Sequence, residues 1–374
     1  MDYTLYSDDS AMSRQTTTPQ AAPPVSNTGV QTANAPDCLI DALCFTFGDL
    51  VSPDEVKALP EFAGLKWLQM DRGDLGYKVG WYADGICILS EGNGGMGTHV
   101  RMMGQACRYL EGRSQFQGWH MFLRRLLRYK LPVQLRDEIP TDVYYSARLT
   151  RLDIAMDDTT GLLQMERIER AIQEATIVST YRKGREYREF DLKTGQNDGQ
   201  TLNFGKRSGD SMIRFYDRAA KLGVRDETII RCELELHDVQ AMAFAEAIIE
   251  GQHLGKLTAG IVRRKLDFKD GQQPDRAGGS QYRAWATAKW WDDFLCGVEK
   301  MRLSIAPIVR TLEKGRSWLL RQGAALFATI TDLDGGCLDF FSDMMENGRA
   351  RRPDWQKKLF GAEELSEMLL VSTG

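Results

Sequence analysis

Three short segments concentrate the residue types that could do chemistry on a phosphodiester. The first is Thr150-Arg151-Leu152-Asp153-Ile154-Ala155-Met156-Asp157-Asp158. Alternate side chains of a strand share a face, so Arg151, Asp153 and Asp157 point one way while Leu152, Ile154 and Met156 point into a core. Carboxylates placed this way suit a divalent cation such as Mg²⁺ or Mn²⁺, because hard cations prefer oxygen ligands. The second segment, Arg231-Cys232-Glu233-Leu234-Glu235-Leu236-His237, alternates strictly. Arg231, Glu233, Glu235 and His237 share one face, and the acids of both segments converge if the two strands are neighbours. The third runs from Gln200 to Arg218 and joins two strands through the basic turn Gly205-Lys206-Arg207-Ser208-Gly209. It delivers Tyr216 between Arg214 and Arg218. A tyrosine that attacks phosphorus must lose its proton and meet a phosphate whose charge is neutralised. Nearby guanidinium groups and a metal ion help with both. Each segment also has a plainer reading: an edge strand with an Arg–Asp pair, a solvent-facing strand of mixed charge, or a tyrosine that only contacts phosphate. Taken one at a time, the segments leave those readings open.

The elements that must position these residues show in the hydrophobic pattern. Residues 40–47 read as a first strand, and residues 77–89, with Gly85 at the turn, as a hairpin. Residues 99–103, 149–156, 200–204, 211–216 and 229–236 are further strands. Trp119, Phe122, Leu126 and Tyr129 recur at helical spacing, and Pro132 ends that helix. Thr159 or Thr160 can cap a helix through about Glu174 that turns Met165, Ile168 and Ile172 inward. From Ala241 onward the chain reads as mainly helical and carries Trp285, Trp290, Trp291, Trp318 and Trp355. The expected fold is α+β, a mostly antiparallel sheet with flanking helices and a helical C-terminal region. The second half repeats the logic of the first, which leaves an internal duplication open. Residues 1–36, rich in Thr, Ser, Ala, Gln and Pro, read as a disordered tail; 37–330 form the main domain and 331–374 an extension. The glycine-rich run from Glu91 to Gly97 is a turn, since no Gly-Lys-Ser/Thr follows to make a nucleotide P-loop.

Composition narrows the classes. The 374 residues carry a net charge of −4, which argues against a protein that coats nucleic acid but not against a local grip. Two basic stretches offer such a grip. One runs from Arg101 to Arg136, where Arg101, Arg108, Arg113, Arg124, Arg125, Arg128, Lys130 and Arg136 face only Glu111. The other includes Arg182, Lys183, Arg185, Arg188, Lys206, Arg207, Arg214 and Arg218. Seven scattered cysteines with no Cys-x-x-Cys pair read as reduced thiols, and four dispersed histidines form no obvious metal cluster. No apolar run is long enough to span a membrane, and the N-terminus has no secretory signal, so a cytoplasmic location is expected.

Taken together, the segments resemble the phage and plasmid replication initiation factor family of rolling-circle initiators. The resemblance rests on Ile40-Asp41-Ala42-Leu43, on residues 97–108 (Gly97-Thr98-His99-Val100-Arg101 onward), on Thr150 to Asp157, on Thr201-Leu202-Asn203-Phe204-Gly205 with Ile213-Arg214-Phe215-Tyr216-Asp217-Arg218, and on Arg231 to Glu235. They stand in family order across about residues 38–330. The resemblance implies nicking of origin DNA by Tyr216, a 5′-phosphotyrosyl enzyme and a free 3′-hydroxyl. It implies Mg²⁺ or Mn²⁺ on acids drawn from Asp153, Asp157, Glu233 and Glu235. It places Lys206, Arg207, Arg214, Arg218, Arg151 and Arg231 on DNA, with a hairpin or single-stranded nick site as substrate and a host helicase behind the nick; a homodimer stays open. Two features depart from better-known initiators: no His-hydrophobic-His triplet exists, and position 218 is Arg where Lys is common. Three other readings compete: a non-catalytic origin- or operator-binding regulator on the same scaffold, a tyrosine recombinase, and a purely structural protein. No Arg…His-x-x-Arg…Tyr arrangement supports the recombinase.

Overall fold

The period-two alternation in residues 149–156 and 229–236 is realised, in a computed structural model, as two neighbouring strands at the middle of a ten-stranded sheet. The structure describes residues 35–48, 51–128, 147–195, 197–221, 228–271, 285–303, 319 and 323–352. Most of the expected N-terminal tail lies outside these residues, as do Tyr129, Lys130, Pro132, Arg136, Trp318 and Trp355. The chain divides into two compact units, 1–305 and 306–374.

In the first unit, β1 (Leu39–Phe47) is followed by α1 (Pro53–Lys57), β2 (Leu68–Gln69), β3 (Val79–Ala83), β4 (Ile86–Ser90), β5 (Thr98–Met103), α2 (Gln105–Glu111) and α3 (Trp119–Arg128). Next come β6 (Arg148–Asp158), α4 (Met165–Gln173), β7 (Ile177–Ser179), β8 (Gly184–Phe190), β9 (Asn197–Gly205), β10 (Ser211–Asp217) and α5 (Arg218–Lys221). The unit closes with β11 (Ile230–His237), α6 (Asp238–Ile249), α7 (Leu254–Lys265), β12 (Leu266–Phe268) and α8 (Lys289–Phe294). In the second unit, α9 (Ala324–Leu333) and α10 (Asp339–Ala350) meet edge-to-face through Phe327 and Phe341.

Strand order in the large sheet is β2-β3-β4-β5-β1-β6-β11-β10-β9-β8, every pair antiparallel. The order reads alike from both ends. In each half the first strand is central, the next of the half's sheet strands is the edge, and the last returns beside the first. This is the topology an internal duplication produces. The β3–β4 hairpin turns on Asp84 and Gly85, both at positive φ, the backbone a two-residue hairpin loop needs to match strand twist.

The two faces of the sheet differ in chemistry. Leu43, Phe45, Leu152, Ile154, Ile213, Phe215, Leu234 and Leu236 are buried on one face against a layer that includes Phe122 of α3 and Phe244 of α6. Beside it, Phe215, Phe268, Trp291 and Phe294 pack at ring separations of 5.0–6.2 Å. The other face carries the polar residues of the same strands.

Three expectations are corrected. The helix after β6 begins at Met165 with Gln164 at its cap. Thr160 instead donates its amide and hydroxyl to Asp158, closing a local turn that competes with helix. Ile172 is exposed and Ala171 takes the inward position. The basic stretch from Arg101 is largely neutralised, mainly by acids distant in sequence: Arg101 pairs with Asp74, Arg125 with buried Glu61 and Arg128 with Glu246, while Arg108 pairs with Glu111 one helical turn on.

The register predicts contrasting costs. Leu234→Ala, on a fully buried central position, should lower unfolding free energy in denaturant titration by about 3 kcal/mol. Ile172→Ala, on the exposed face of α4, should change it by less than about 0.5 kcal/mol; equal losses would contradict the facing.

Candidate functional site

The site forms where β6, β11 and β10 lie side by side on the polar face. Register sets Asp153 opposite Glu235, and Glu233 opposite Arg214. Tyr216 lies opposite Arg231, which in turn lies opposite Asp157. Asp153, Glu233 and Glu235 each offer an oxygen within 4.8 Å of the others. These acids are only 1 %, 4 % and 0 % exposed, so their charge must be matched locally.

Two arginines match it. Arg214 Nη2 lies 2.6 Å from Glu233 Oε1 and 3.6 Å from Asp153 Oδ2, and it also donates to Glu235 Oε2. Arg151 donates to both oxygens of Asp153, at 2.8 and 2.5 Å, and its Nη2 is 2.9 Å from Glu235 Oε2. His237 Nε2 is 2.7 Å from Glu235 Oε1. The acids respond differently. Burial lifts the Asp153 carboxyl to about 7, overriding Arg151 beside it. Glu235 resists the same desolvation because His237, Arg151 and Arg214 hold it down at about 2.

Tyr216 reaches this cluster directly. Its hydroxyl donates to Glu233 Oε2 at 2.9 Å. Burial, followed by the negative charge of Glu233, raises its phenol well above the ordinary tyrosine range. The side chain is half-buried, not sealed.

Asp157 shares the face but does not join the three acids. Arg231 holds it bidentately at 2.6 and 2.8 Å, and Arg218 donates to it as well. Desolvation alone would raise Asp157; these arginines outweigh it and hold the carboxyl below the usual range. Arg231 also reaches Asp41 Oδ1 at 2.9 Å. Asp41 sits at a register shift between Ile40 and Ala42, where a bulge re-aims a side chain that plain alternation would place elsewhere. Alternation along β1 alone therefore does not place Asp41 in the site. Lys206 and Arg207 stand exposed on the β9–β10 turn. Gly205, at φ +101°, opens that turn where a Cβ would press on Ser211 O and the Tyr181 ring at 3.0 Å. Asn203 lies opposite Arg214 on β9, and its Oδ1 and the Arg214 Nε are both buried without a hydrogen-bond partner; a short polar residue in the middle of a strand carries no sequence signal for this.

Comparison with known proteins agrees with this architecture. Residues 147–347 match the family described as Replication initiation factor, and residues 40–125 match the Rolling Circle replication initiation protein N-terminal domain. The chain is 23% identical over 247 residues to the Bacillus subtilis (strain 168) protein named "Putative DNA relaxase NicK". That match spans 64% of this chain and 64% of the relative's length. Among solved structures, the rolling circle replication initiator protein from Geobacillus stearothermophilus superposes with a TM-score of 0.60 at 25% identity, covering 72% of this chain and 99% of that one. The second half of the present chain carries the acids and the tyrosine on one sheet face, and the chain belongs to the replication initiation factor family.

Proposed function

We propose that the protein starts rolling-circle replication by nicking one strand of origin DNA, and later rejoining it, through Tyr216. The observation that carries this reading is the hydrogen bond from the Tyr216 hydroxyl to Glu233, one of three clustered acids. The relaxase and rolling-circle initiator names of similar proteins support the same activity.

The Tyr216 oxygen attacks the scissile phosphorus while its proton passes to Glu233 Oε2, 2.9 Å away. The bond from phosphorus to the 3′ oxygen breaks, and that oxygen takes a proton from solvent. The products are a 5′-phosphotyrosine and a free 3′-hydroxyl. Attack by a 3′-hydroxyl on the phosphotyrosine reverses the step, and the conserved bond energy makes ATP unnecessary.

The raised phenol implies that a half-buried, acid-flanked tyrosine needs positive charge beside it. Asp153, Glu233 and Glu235 fit Mg²⁺ or Mn²⁺, being an all-oxygen donor set within one ion's reach. A bound ion would supply charge that eases proton loss from Tyr216 and neutralises the scissile phosphate. Asp157, held by Arg231 and Arg218, is left out of this set and fixes those two arginines on the face. Arg214 and Arg218, with Lys206 and Arg207 on the adjoining turn, contact phosphates. Arg151 and Arg231 act on DNA mainly through the acids they orient. The substrate is a hairpin or single-stranded nick site, gripped locally and released by salt. Unwinding behind the nick falls to a host helicase.

Incubation with supercoiled origin DNA and Mn²⁺ should give open circles and a covalent protein–DNA adduct, both lost in EDTA. Tyr216→Phe should abolish the adduct and leave binding nearly intact. An adduct retained by that variant would refute the nucleophile, and origin binding by the wild type without any nick would favour the non-catalytic regulator.

Ion-free stability should also depend on pH. Asp153 titrates near 7 in the fold, above its unfolded value of 3.8, so its contribution favours the folded state at low pH and is lost as pH rises through about 7. Glu235 contributes in the opposite sense, losing its share only as pH falls toward about 2. Without metal, the melting temperature should therefore decline between about pH 4.5 and about pH 7 and level off above it. Asp153→Asn should remove most of that decline; an undiminished slope would show that another group titrates.

A further inference from the structure

Folding largely neutralises the basic stretch that starts at Arg101 and leaves much of the other unpaired. Arg182 and Lys183 just before β8, Arg185 on it, and Lys206 and Arg207 on the β9–β10 turn are all exposed. None of the five forms an ion pair among the described residues. The Gly205 amide donates to the Lys183 carbonyl at 3.0 Å, which holds the start of β8 beside that turn. The five cations therefore occupy one corner of the sheet. Two acids border it in the chain: Glu189, at the far end of β8, and Asp210, just past the turn. On the opposite side of the β8 pleat the charges are already matched, since Arg188 pairs with Glu186 and with Glu169 on α4.

Register carries this corner directly to the acid cluster. Tyr187 lies opposite Thr201, and Thr201 opposite Tyr216. Arg185 lies opposite Asn203, Asn203 opposite Arg214, and Arg214 opposite Glu233. Residues directly opposed across antiparallel strands share a face. Two rows therefore run outward from the site over β9 to β8, one ending in an aromatic ring and the other in an unpaired guanidinium. Tyr187 is 53 % exposed, so its ring is open to a flat partner. Two strand spacings of about 4.8 Å separate it from Tyr216, roughly 10 Å in all, or about three nucleotides at a rise of about 3.4 Å each.

We propose that a single-stranded flank of the nick site runs outward from Tyr216 over β9 and β8, with a base stacked on Tyr187 and the phosphates around it held by Arg185, Lys183 and Arg182. The position of the scissile phosphate rests on the nicking reading above; the stacking and the phosphate contacts do not. Every nucleobase has a π-face, so an exposed ring holds a strand with little regard to sequence. In a duplex the bases are already stacked on one another. Tyr187 therefore selects single strand over duplex, while the three cations accept either. The route gives a protein of net charge −4 a local grip beside its acid cluster.

Fluorescence anisotropy tests this with labelled oligo(dT) of about 20 nucleotides, long enough to cover a single-strand site, and a mixed-sequence duplex of about the same length. The full chain carrying Tyr216→Phe, with Mg²⁺ present, serves as parent. It forms no phosphotyrosine, so failure here and failure of the proposed chemistry are distinguishable. Adding Tyr187→Ala should weaken oligo(dT) binding at least about fivefold and change duplex binding less than about twofold. Tyr187→Trp, which keeps an aromatic face, should bind oligo(dT) within about twofold of the parent. Arg185→Gln should flatten the dependence of log affinity on log salt by about 0.7 on the single strand. The proposal is overturned by a parent that does not bind oligo(dT), or by a Tyr187→Ala protein that binds it as tightly as the parent. Equal losses on duplex and single strand, a Tyr187→Trp protein as weak as the alanine variant, or an unchanged salt slope in Arg185→Gln would also overturn it.

Discussion

The site depends on one constraint: three carboxylates buried on two adjacent strands must be given positive charge. Asp153, Glu233 and Glu235 are nearly inaccessible to water, and their mutual repulsion in a low-dielectric setting is severe. Arg151 and Arg214 meet that demand with side chains from β6 and β10, the strands that flank β11. Burial still leaves Asp153 titrating near 7, so the neutralisation is incomplete. That residual demand is what makes the cluster a credible cation site and links it to Tyr216, whose proton is harder to lose beside Glu233.

Sheet architecture is what makes such a cluster sustainable. The apolar face carries the cohesion of the first unit, with β6 and β11 at the middle of the strand order. The polar face is thereby released from a packing role and can hold charged rows fixed by register. The palindromic strand order explains why two central strands, β1 and β6, lie together, and the bulge in β1 lets Asp41 reach Arg231 across the site. Two subsites result on one face: an acid cluster bridged by Arg214, and an arginine pair bridged by Asp157.

Much of this was legible in the sequence, because strict alternation fixes which side chains share a face. Arg231, Glu233, Glu235 and His237 separate from Cys232, Leu234 and Leu236 on inspection, and the structure keeps that division. Adjacency of the strands was not legible from spacing, and neither was the partition of Asp157 away from Asp153; both depend on long-range register. The weakly patterned strands also escaped. The edge strand β8 has no buried side to impose alternation, and β2, β7 and β12 are too short to show any. The basic stretch on α3 misled for a related reason, since the acids that neutralise it, Glu61 and Glu246, are brought in only by folding.

The most direct measurement is anomalous X-ray scattering from a crystal soaked in Mn²⁺, with Tyr216 intact. The account predicts a single strong peak within bonding distance of Asp153, Glu233 and Glu235, beside the Tyr216 hydroxyl. A peak at Asp157 instead, or acids still fully bridged by Arg151 and Arg214 at saturating Mn²⁺ with no peak among them, would contradict it.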